Sequence, residues 1–452
     1  MTSTSPVRNP DVRSPEVMTR RAWWLVGLNL LVPGSAQVLA GSRRLGRFAL
    51  GATFVGWVLV VAVLVLALVQ RGWLLAFLTQ PIVLAVGVST LIFYALLWVV
   101  VTLDTLRLVR IVRVAPSARA PVALLAVAGL VVATGSASYG AASGVSALGV
   151  LSTVFGGGTM IAEPIDGRYN ILLLGGDAGA DRLGLRPDSI SVVSIEAATG
   201  RSVIFGVPRN LEDVPFPADS PLADVFPDGY SCGSECLISY LYTYGEEHAD
   251  LYPEAEESGS SPGIEAMRDA VSGVLGLELQ YYVLVDMAAF ENLIDALGGI
   301  DIDVQERLPI EGGLNEDGSL FGVEGWIEVG LQHMDGYTAL WYARSRHSTD
   351  DYDRMQRQRE VQAAVLEQIE PANVLLRFNE LAAAGAALVT TDIPGTMLAH
   401  FAELALDARE FDLVTYDFVP PEVETWQPDF DAIRAVVDEL TTAVTPSPTP
   451  VP

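Results

Sequence analysis

The sequence predicts an α/β protein: a three-layer αβα extracellular domain with a central mixed sheet, preceded by a helical region that crosses a membrane several times. Two observations predict this architecture. The first 143 residues carry twelve arginines and three acidic residues, whereas the remainder carries fifteen arginines and fifty-two acidic residues. This charge asymmetry indicates two environments. In the acidic part, short apolar runs alternate with helical patterns, which is typical of strands covered by helices on both faces.

The basic part predicts the membrane region, residues 22–143, after a disordered cytoplasmic N-terminus at 1–21. Three uncharged or nearly uncharged runs are long enough to cross a bilayer core of ~30 Å; they lie at about 48–70, 78–103 and 121–143. A shorter apolar run at 22–41 has basic clusters on both sides and Pro33-Gly34 in its middle. It predicts either a hairpin that enters and leaves on one face or an interfacial amphipathic segment.

Arginine clusters flank these runs, and such clusters mark the cytoplasmic side of membrane proteins. Three crossings then place everything after about residue 144 outside the cytoplasm, so we expect a multi-pass protein of the cell membrane. The exported part divides into a linker at 144–164, a domain at 165–443 and a disordered Pro/Thr tail at 444–452. A domain of this length is near the size at which single cores stop growing.

The elements of the exported domain follow from the periodicity of its apolar residues. Strands are predicted at 169–174, 190–195, 202–207, 281–285, 300–304 and near 413–419. Helices are predicted at 263–275, 287–297, 336–342, 352–369, 371–387 and 429–442. Residues 212–262 break this alternation and resemble loops with one short helix, a length of loop that is usually functional or mobile.

Cys232 and Cys236 are the two cysteines of the chain, and both lie in the exported part. In an oxidising compartment we expect them to form a local disulfide that closes a small loop. A metal site would need further Cys or His ligands nearby, and the sequence places none beside them.

Two aspartates lie at the predicted ends of neighbouring strands, with Asp177 at the end of one and Asp188 at the start of the next. Two carboxylates at one sheet edge form a suitable Mg²⁺ site, because Mg²⁺ takes a few hard oxygen ligands together with waters or phosphates. The alternative is that both are ordinary turn residues. Arg209, directly after the third strand, either points towards the same edge or forms a surface salt bridge.

The stretch ARSRHSTDDYDRMQRQRE, residues 343–360, concentrates arginine in an acidic domain that contains no lysine. Arg344 and Arg346 are two residues apart and share one side if the backbone is extended, while Arg354, Arg357 and Gln358 share one helix face. A network with the nearby carboxylates is the alternative. However, exposed ion pairs contribute only ~0–1 kcal/mol each, whereas guanidinium groups match phosphate oxygens. The stretch therefore favours an anion site.

Two other residues of this stretch are not assigned to the anion site. Arg359 is predicted to point away from the Arg354 face, as a solvated or salt-bridged side chain. His347 is one of four histidines and belongs to no Ser/His/Asp pattern, so a nucleophilic hydrolase is not supported. The net charge of −28 argues against nucleic acid as a partner.

Several separated blocks together resemble the LytR-CpsA-Psr family of cell-wall assembly enzymes. They are LLLGGD…RPDSISVVS…VPRN, YYVLVDMAAFENLIDALGGIDIDV, GLQHMDGYTALWYARSR and DDYDRMQRQRE, in the family's order over roughly 169–420. The resemblance implies a membrane-anchored phosphotransferase with its catalytic domain outside the cell. Such an enzyme moves a glycopolymer from a polyprenyl-pyrophosphate carrier onto peptidoglycan, forming a phosphodiester with Mg²⁺ as cofactor.

The resemblance also implies roles for individual residues. Asp177 and Asp188 become the metal ligands, and Asp351 becomes the candidate base for the acceptor hydroxyl, with Arg344 and Arg346 beside it in the catalytic set. The ligands of the lipid pyrophosphate become Arg209, Arg344, Arg346, Arg354 and Gln358. Two departures from the family pattern are Asn210, where an aspartate is common, and Asp350, where a glycine is common.

Two other functions are compatible with the same residues. In one, water replaces the acceptor and the protein hydrolyses polyprenyl pyrophosphate. In the other, the domain is a non-catalytic lipid-phosphate-binding regulator of the envelope, which the substitution at Asn210 leaves open. The sequence does not specify the glycopolymer.

Overall fold

The computed structural model describes residues 11, 13–69, 74, 77, 79–155, 161–177, 186–315, 317, 319–345, 351–368 and 389–442. The chain divides into two compact units, Met1–Leu148 and Gly149–Pro452. Several predicted features lie outside the described residues: the helix at 371–387, the tail at 444–452, and Arg346, His347 and Asp350 of the arginine-rich stretch.

Long apolar helices form the N-terminal unit. They are α1 Pro15–Leu31, α2 Ser35–Ala40, α3 Arg43–Val69, α4 Pro81–Val109 and α5 Pro116–Thr153. Three stretches of the described chain are long and apolar enough to cross a membrane: Arg43–Val69, Pro81–Arg113 and Pro116–Gly149. They overlap the three predicted spans. Large apolar side chains of α3, such as Phe54 and Leu68, point outward, as expected of a helix surrounded by lipid. The end of α5 extends into the segment 144–164 that was expected to be a linker.

The segment at 22–41 is a helix–turn–helix. Its turn lies at Gly34, whose φ of 97° suits glycine. Polar side chains attach both arms to α4: Asn29 Nδ2 donates to Thr102 Oγ1 at 3.1 Å, and Gln37 Nε2 donates to the Val101 carbonyl at 2.8 Å. The first arm begins at Pro15, inside the segment 1–21 that was expected to be disordered.

A six-stranded mixed sheet is the centre of the second unit, in the order β11-β4-β1-β2-β3-β12. The strands are β1 Arg168–Asp177, β2 Arg186–Glu196, β3 Ser202–Val207, β4 Tyr281–Asp286, β11 Val389–Thr391 and β12 Val414–Asp417. β1 is parallel to β4 and antiparallel to β2. The predicted fold class is therefore confirmed.

Helices cover both faces of this sheet. They are α6 Pro221–Val225, α7 Leu241–Glu247, α8 Pro262–Leu275, α9 Met287–Leu297, α10 Gly336–Arg344, α11 Asp351–Gln368, α12 Leu398–Ala408 and α13 Phe430–Thr442. Leu172 and Leu174 of β1 pack on the side of α8 and α13. The alternate residue Ile171 belongs to the core on the side of α12. This period of two produces the three layers.

The predicted strand at 300–304 forms, but it does not join the central sheet. As β5 Ile300–Val304 it pairs with β10 Gly330–Met334 in a separate two-stranded sheet. Four short strands between them form two further pairs: β6 Leu308–Ile310 with β9 Gly325–Ile327, and β7 Gly313–Leu314 with β8 Leu320–Phe321. These four strands were not predicted from the sequence, because two or three residues are too few to show a period.

Residues 212–262 contain more structure than predicted. Besides α6 and α7 they hold single 3₁₀ turns at Gly233–Glu235, Ile238–Tyr240 and Ala249–Leu251. Leu222, Ile238 and Leu241 are buried in the core on the α8 side. Cys232 and Cys236 form a disulfide in this region. The segment is thus a packed cap on the sheet instead of an open loop.

Candidate functional site

A large cleft lies on the sheet face opposite α8. Its volume is about 1180 Å³, somewhat larger than the range of roughly 300–1,000 Å³ usual for small-molecule sites. The sheet forms one wall, and α9, α10, α11 and α12 contribute to the others. Most of the lining is apolar, and includes Ile171, Leu173, Val193, Ile195, Val283, Val285, Phe290, Leu293, Leu340, Trp341, Val361, Val365, Phe401 and Leu404.

Charged and polar side chains from the sheet, α10 and α11 also line this cleft. Five predicted site residues are there together: Asp188, Arg209, Arg344, Arg354 and Gln358. We refer to these five residues as the charged mouth. They are separated by up to 170 positions along the chain, so their meeting is a product of the tertiary fold. Arg354 is only 2% exposed although it lines the cleft.

Two further predicted residues are described only in their backbone. Asp177 is the last residue of β1, where it pairs with Arg186 of β2. Asp351 is the first residue of α11. Both positions border the elements that carry the charged mouth.

Asp188 lies in a β-bulge. Gly175 of β1 pairs with Ser189 and the next residue, Gly176, pairs with Pro187, which leaves Asp188 as the extra residue of β2. Such bulges re-aim a side chain, and here the Asp188 carboxylate accepts a hydrogen bond from Arg209 Nη1. The salt bridge predicted as an alternative for Arg209 therefore exists, but it lies within the cleft lining.

The turn after β3 holds Arg209 through its backbone. The Arg209 carbonyl accepts from Ser239 N at 3.2 Å, and the Leu211 carbonyl accepts from Ile238 N at 2.9 Å. Both donors follow the disulfide loop. The neighbouring Asn210 amide donates to Thr425 Oγ1 at 3.3 Å. Where the family commonly has a carboxylate, this chain thus has an amide that tethers the turn.

The predicted extended arm at Arg344 is wrong, because Arg344 is the last residue of helix α10. The final carbonyls of this helix are satisfied by α11. Arg357 Nε donates to the Tyr342 carbonyl at 2.9 Å, Arg357 Nη2 donates to the Ser345 carbonyl, and Gln358 Nε2 approaches the Ala343 carbonyl at 3.4 Å. A cation at a helix C-terminus is favourable because of the helix dipole.

The predicted common face of Arg354, Arg357 and Gln358 is therefore divided in the structure. Arg354 and Gln358 line the cleft, whereas Arg357 is buried against the end of α10. Arg359 lies off the cleft-lining face, as predicted, and is the salt-bridged one of the two predicted alternatives: it pairs with Asp417 and is only 3% exposed, so it is not solvated. A single helix carries these residues, and its neighbours on each side decide what each one does.

Two ionisable side chains in or beside α10 have shifted pKa values. Burial raises the pKa of the Glu291 carboxyl, and Asp295 raises it further, while Arg344 opposes the shift. Burial and a hydrogen bond to Glu360 raise the pKa of the Tyr342 hydroxyl. Arg344 thus acts electrostatically on the Glu291 carboxyl group of the adjacent helix α9.

Asp286 also lines the cleft, although it was not predicted from the sequence. It is the last residue of β4 and pairs with Gly176, one residue before Asp177. The rule that selected Asp177, a carboxylate at the carboxyl end of a buried strand, applies equally to Asp286. It was overlooked because β4 is distant in sequence from β1, and only the sheet order makes them neighbours.

Two carboxylates of the cleft are candidate ligands for a divalent cation whose remaining ligands would come from water and a bound phosphate. Among the described residues, no group of three or more His, Cys, Asp or Glu side chains forms a preformed metal cluster. Asp188 and Asp286 nevertheless supply carboxylate oxygens to the same cleft. Mg²⁺ commonly takes one or two carboxylates and completes its shell with waters and substrate phosphates. A site of this composition suits that ion.

A family model for LytR_cpsA_psr matches residues 159–421, more than half of the chain. The chain belongs to the LytR-CpsA-Psr family. The family prediction made from the quoted blocks is therefore confirmed.

Curated relatives include the transferase TagU of Enterococcus faecalis, named a polyisoprenyl-teichoic acid–peptidoglycan teichoic acid transferase. It is 23% identical over 53% of this chain and 66% of its own length. The cell wall biosynthesis protein LcpA of Corynebacterium glutamicum is 27% identical over 59% of this chain and 52% of its own length. The regulatory protein MsrR of Staphylococcus aureus is 25% identical over 51% of this chain and 58% of its own length. The chain thus spans about half to two thirds of these relatives.

Solved structures of similar proteins include TagV of Bacillus subtilis, at 21% identity and a TM-score of 0.44, over 63% of this chain and 100% of that one. Another is the LytR-CPS2A-psr family protein YwtF (TagT) with bound octaprenyl pyrophosphate lipid. It has 18% identity and a TM-score of 0.38, over 63% of this chain and 93% of that one.

Proposed function

We propose that this LytR-CpsA-Psr protein is a membrane-anchored phosphotransferase that moves a glycopolymer from a polyprenyl-pyrophosphate carrier to peptidoglycan. The observation that carries the proposal is the continuity of the charged mouth with the apolar cleft. A ligand that matches both must have a compact anionic head and a long hydrocarbon tail. Guanidinium groups bind phosphate oxygens in a bidentate way, and the lining beyond them suits an isoprenoid chain.

In the proposed reaction the protein positions two substrates and stabilises charge. Arg344, Arg354 and Arg209 would bind the pyrophosphate oxygens. The acceptor hydroxyl oxygen forms a bond to the phosphorus that carries the glycan, and the bond from that phosphorus to the bridging oxygen breaks. Polyprenyl phosphate leaves with the bridging oxygen. The hydroxyl proton goes to a carboxylate, for which Asp351 is our candidate.

Arg354 suits transition-state stabilisation because it is buried. Electrostatic interactions are stronger where water is excluded, and preorganised donors need no rearrangement during the reaction. Asp177 and Asp188, the two ligands predicted from the sequence, would hold Mg²⁺ together with Asp286 of the same cleft, and the ion when bound would supply positive charge to the phosphate oxygens. The Asp188 carboxylate would then bind both Mg²⁺ and Arg209, because Arg209 Nη1 already donates to one of its oxygens.

The membrane helices suit a carrier that is itself a membrane lipid. Three apolar helical stretches precede the family domain, and we infer from the flanking arginines that the domain lies outside the cytoplasm. The polymer and its acceptor would then meet at the outer membrane surface.

The test uses the full chain in liposomes with a lipid-linked glycan donor and peptidoglycan. We expect a covalent glycan–peptidoglycan conjugate and free polyprenyl phosphate in equal amounts, both abolished by Arg354→Gln. Free phosphoglycan without conjugate would indicate hydrolysis instead. Donor binding without any turnover would favour a regulator, as its relative, the regulatory protein MsrR, is named.

A further inference from the structure

A buried ion pair lies behind the charged mouth. Arg359 of α11 and Asp417 of β12 face each other, with Arg359 Nε 3.4 Å from Asp417 Oδ1. Burial lowers the pKa of the Arg359 guanidinium and raises the pKa of the Asp417 carboxyl, while each partner opposes the shift of the other. Arg359 does not line the cleft. Taking two charges out of water is costly, so stability alone does not explain why this pair is buried.

The fold keeps space open for this pair. Asp417 of β12 pairs in register with Gly206 of β3. A Cβ atom at position 206 would lie 1.7 Å from Asp417 Oδ1, so the carboxylate can occupy its place only because residue 206 is glycine. The structure thus reserves a specific position for Asp417 beneath α11.

Arg359 also reaches the strand that carries Asp188. Its Nη2 lies 3.4 Å from Ser189 Oγ, and its Nη1 donates to Gln362 of its own helix. Ser189 directly follows the bulged residue Asp188 and lines the cleft. One guanidinium group therefore connects α11, β12 and the bulge of β2.

Helix geometry relates these contacts to the charged mouth. Successive helix residues are about 100° apart, so Arg354 and Gln358 share a face while Arg357 and Arg359 fall on opposite flanks of it. Arg357 contacts the end of α10, and Arg359 contacts the sheet. A shift of α11 towards or away from the sheet would change the gap between Arg354 and Asp188.

We propose that the Arg359–Asp417 pair is a positioning device that sets this gap and thereby makes the charged mouth selective for a pyrophosphate over a monophosphate. The inference rests on the proposed function, because it concerns the same lipid headgroup. A pyrophosphate carries two phosphate groups and so offers one to the α11 side and one to the β2 side of the mouth. A monophosphate offers only one group, so we expect its binding to be less sensitive to the gap.

The test compares two probes, geranylgeranyl pyrophosphate and geranylgeranyl monophosphate, on the full chain in detergent. The variant Arg359→Met/Asp417→Leu replaces both charges with apolar side chains of similar volume, a change that usually preserves stability. We expect its Tm to stay near that of the wild type, its pyrophosphate affinity to fall about tenfold, equal to ~1.4 kcal/mol, and its monophosphate affinity to change little. Equal selectivity in wild type and variant would overturn the proposal.

A second variant covers the case in which the double variant does not fold. Arg359→Lys keeps a charge beside Asp417 but has no fork with which to reach Ser189 as well, so we expect a smaller loss of selectivity. The matched control is Arg307→Met/Glu328→Leu, which removes an exposed pair outside the cleft lining and should change neither affinity. Unchanged selectivity in Arg359→Lys, with the fold intact, would contradict the proposal. A wild type that binds neither probe would overturn the proposed function itself.

Discussion

The two sides of the charged mouth are built differently. On the helix side Arg354 is 2% exposed and is flanked by the buried Arg357 and Arg359. On the sheet side the Asp188 and Arg209 side chains are 24% and 29% exposed and contact each other. A substitution on the helix side should therefore alter both lipid binding and the stability of the fold. A substitution on the sheet side should have little effect on stability. Buried charges with one partner removed are costly, and exposed pairs contribute little.

The largest effect is expected on the helix side, from Arg359→Met. Removing one partner of a buried pair leaves Asp417 uncompensated, and such losses are ~3–5 kcal/mol in the free energy of unfolding. The pKa of Asp417 is already raised and would rise further. The folded variant would then bind a proton more readily than the unfolded chain, so the loss should shrink as the pH falls below the raised pKa.

Thermal unfolding of the full chain in detergent at about pH 7.5 and about pH 5 measures this pH dependence. Adding Asp417→Leu should recover most of the stability at the higher pH, because no unpaired charge remains. A loss of equal size at both pH values would show that Asp417 is not the group responsible.

The next effect is expected in binding, from Arg354→Gln. Hydrogen bonds to charged groups contribute ~1.5–3 kcal/mol, so affinity for a polyprenyl pyrophosphate should fall by about 10- to 150-fold. Titration of the full chain with the lipid measures the affinity. Arg307→Gln is the control, because Arg307 pairs with Glu328 outside the cleft lining. An affinity within twofold of the wild type would remove Arg354 from the headgroup site.

On the sheet side we expect a smaller effect, from Asp188→Asn. The amide keeps the size of the side chain and can still accept from Arg209, but it is a poorer Mg²⁺ ligand. In the presence of Mg²⁺ the lipid affinity should fall about tenfold, equal to ~1.4 kcal/mol, and it should no longer respond to a chelator. If the variant and the wild type give the same Mg²⁺ titration, Asp188 is not a ligand of the metal.

The smallest effect is expected from Arg307→Met. Arg307 forms an exposed salt bridge with Glu328, with Arg307 Nη2 2.9 Å from Glu328 Oε1, and lies over the Trp326 ring. Exposed pairs contribute ~0–1 kcal/mol, so unfolding and lipid binding should both change little. A loss as large as that of Arg359→Met would mean that burial does not explain the contrast between the two pairs.

Much of the architecture was predictable because its signals are local. Apolar runs long enough for a bilayer predicted the three membrane helices, and period and run length predicted β1, β2, β3 and β4. The turn at Pro33-Gly34 is a local signal of the same kind. The short strands β6 to β9 were not predictable, because hydrogen bonds to distant partners define them and their own residues show no period.

The candidate site was predictable where residues adjoin a recognisable element. Arg354 and Gln358, four positions apart on a helix, were expected to share a face, and they do. Asp188 was expected at a strand start, although the bulge that re-aims it depends on its pairing with β1. Asp286 required the order of the sheet, which no local pattern contains.

The sequence by itself determined that an acidic domain carries a local cluster of arginines at 343–360, and it determined which helix carries three of those five arginines. Only the tertiary structure decided what each arginine does. Arg354 faces the cleft, Arg357 caps α10 and Arg359 is buried against Asp417. The physical reason is that a helix presents successive side chains in directions about 100° apart. The function of each charge then depends on which neighbour the fold places in that direction.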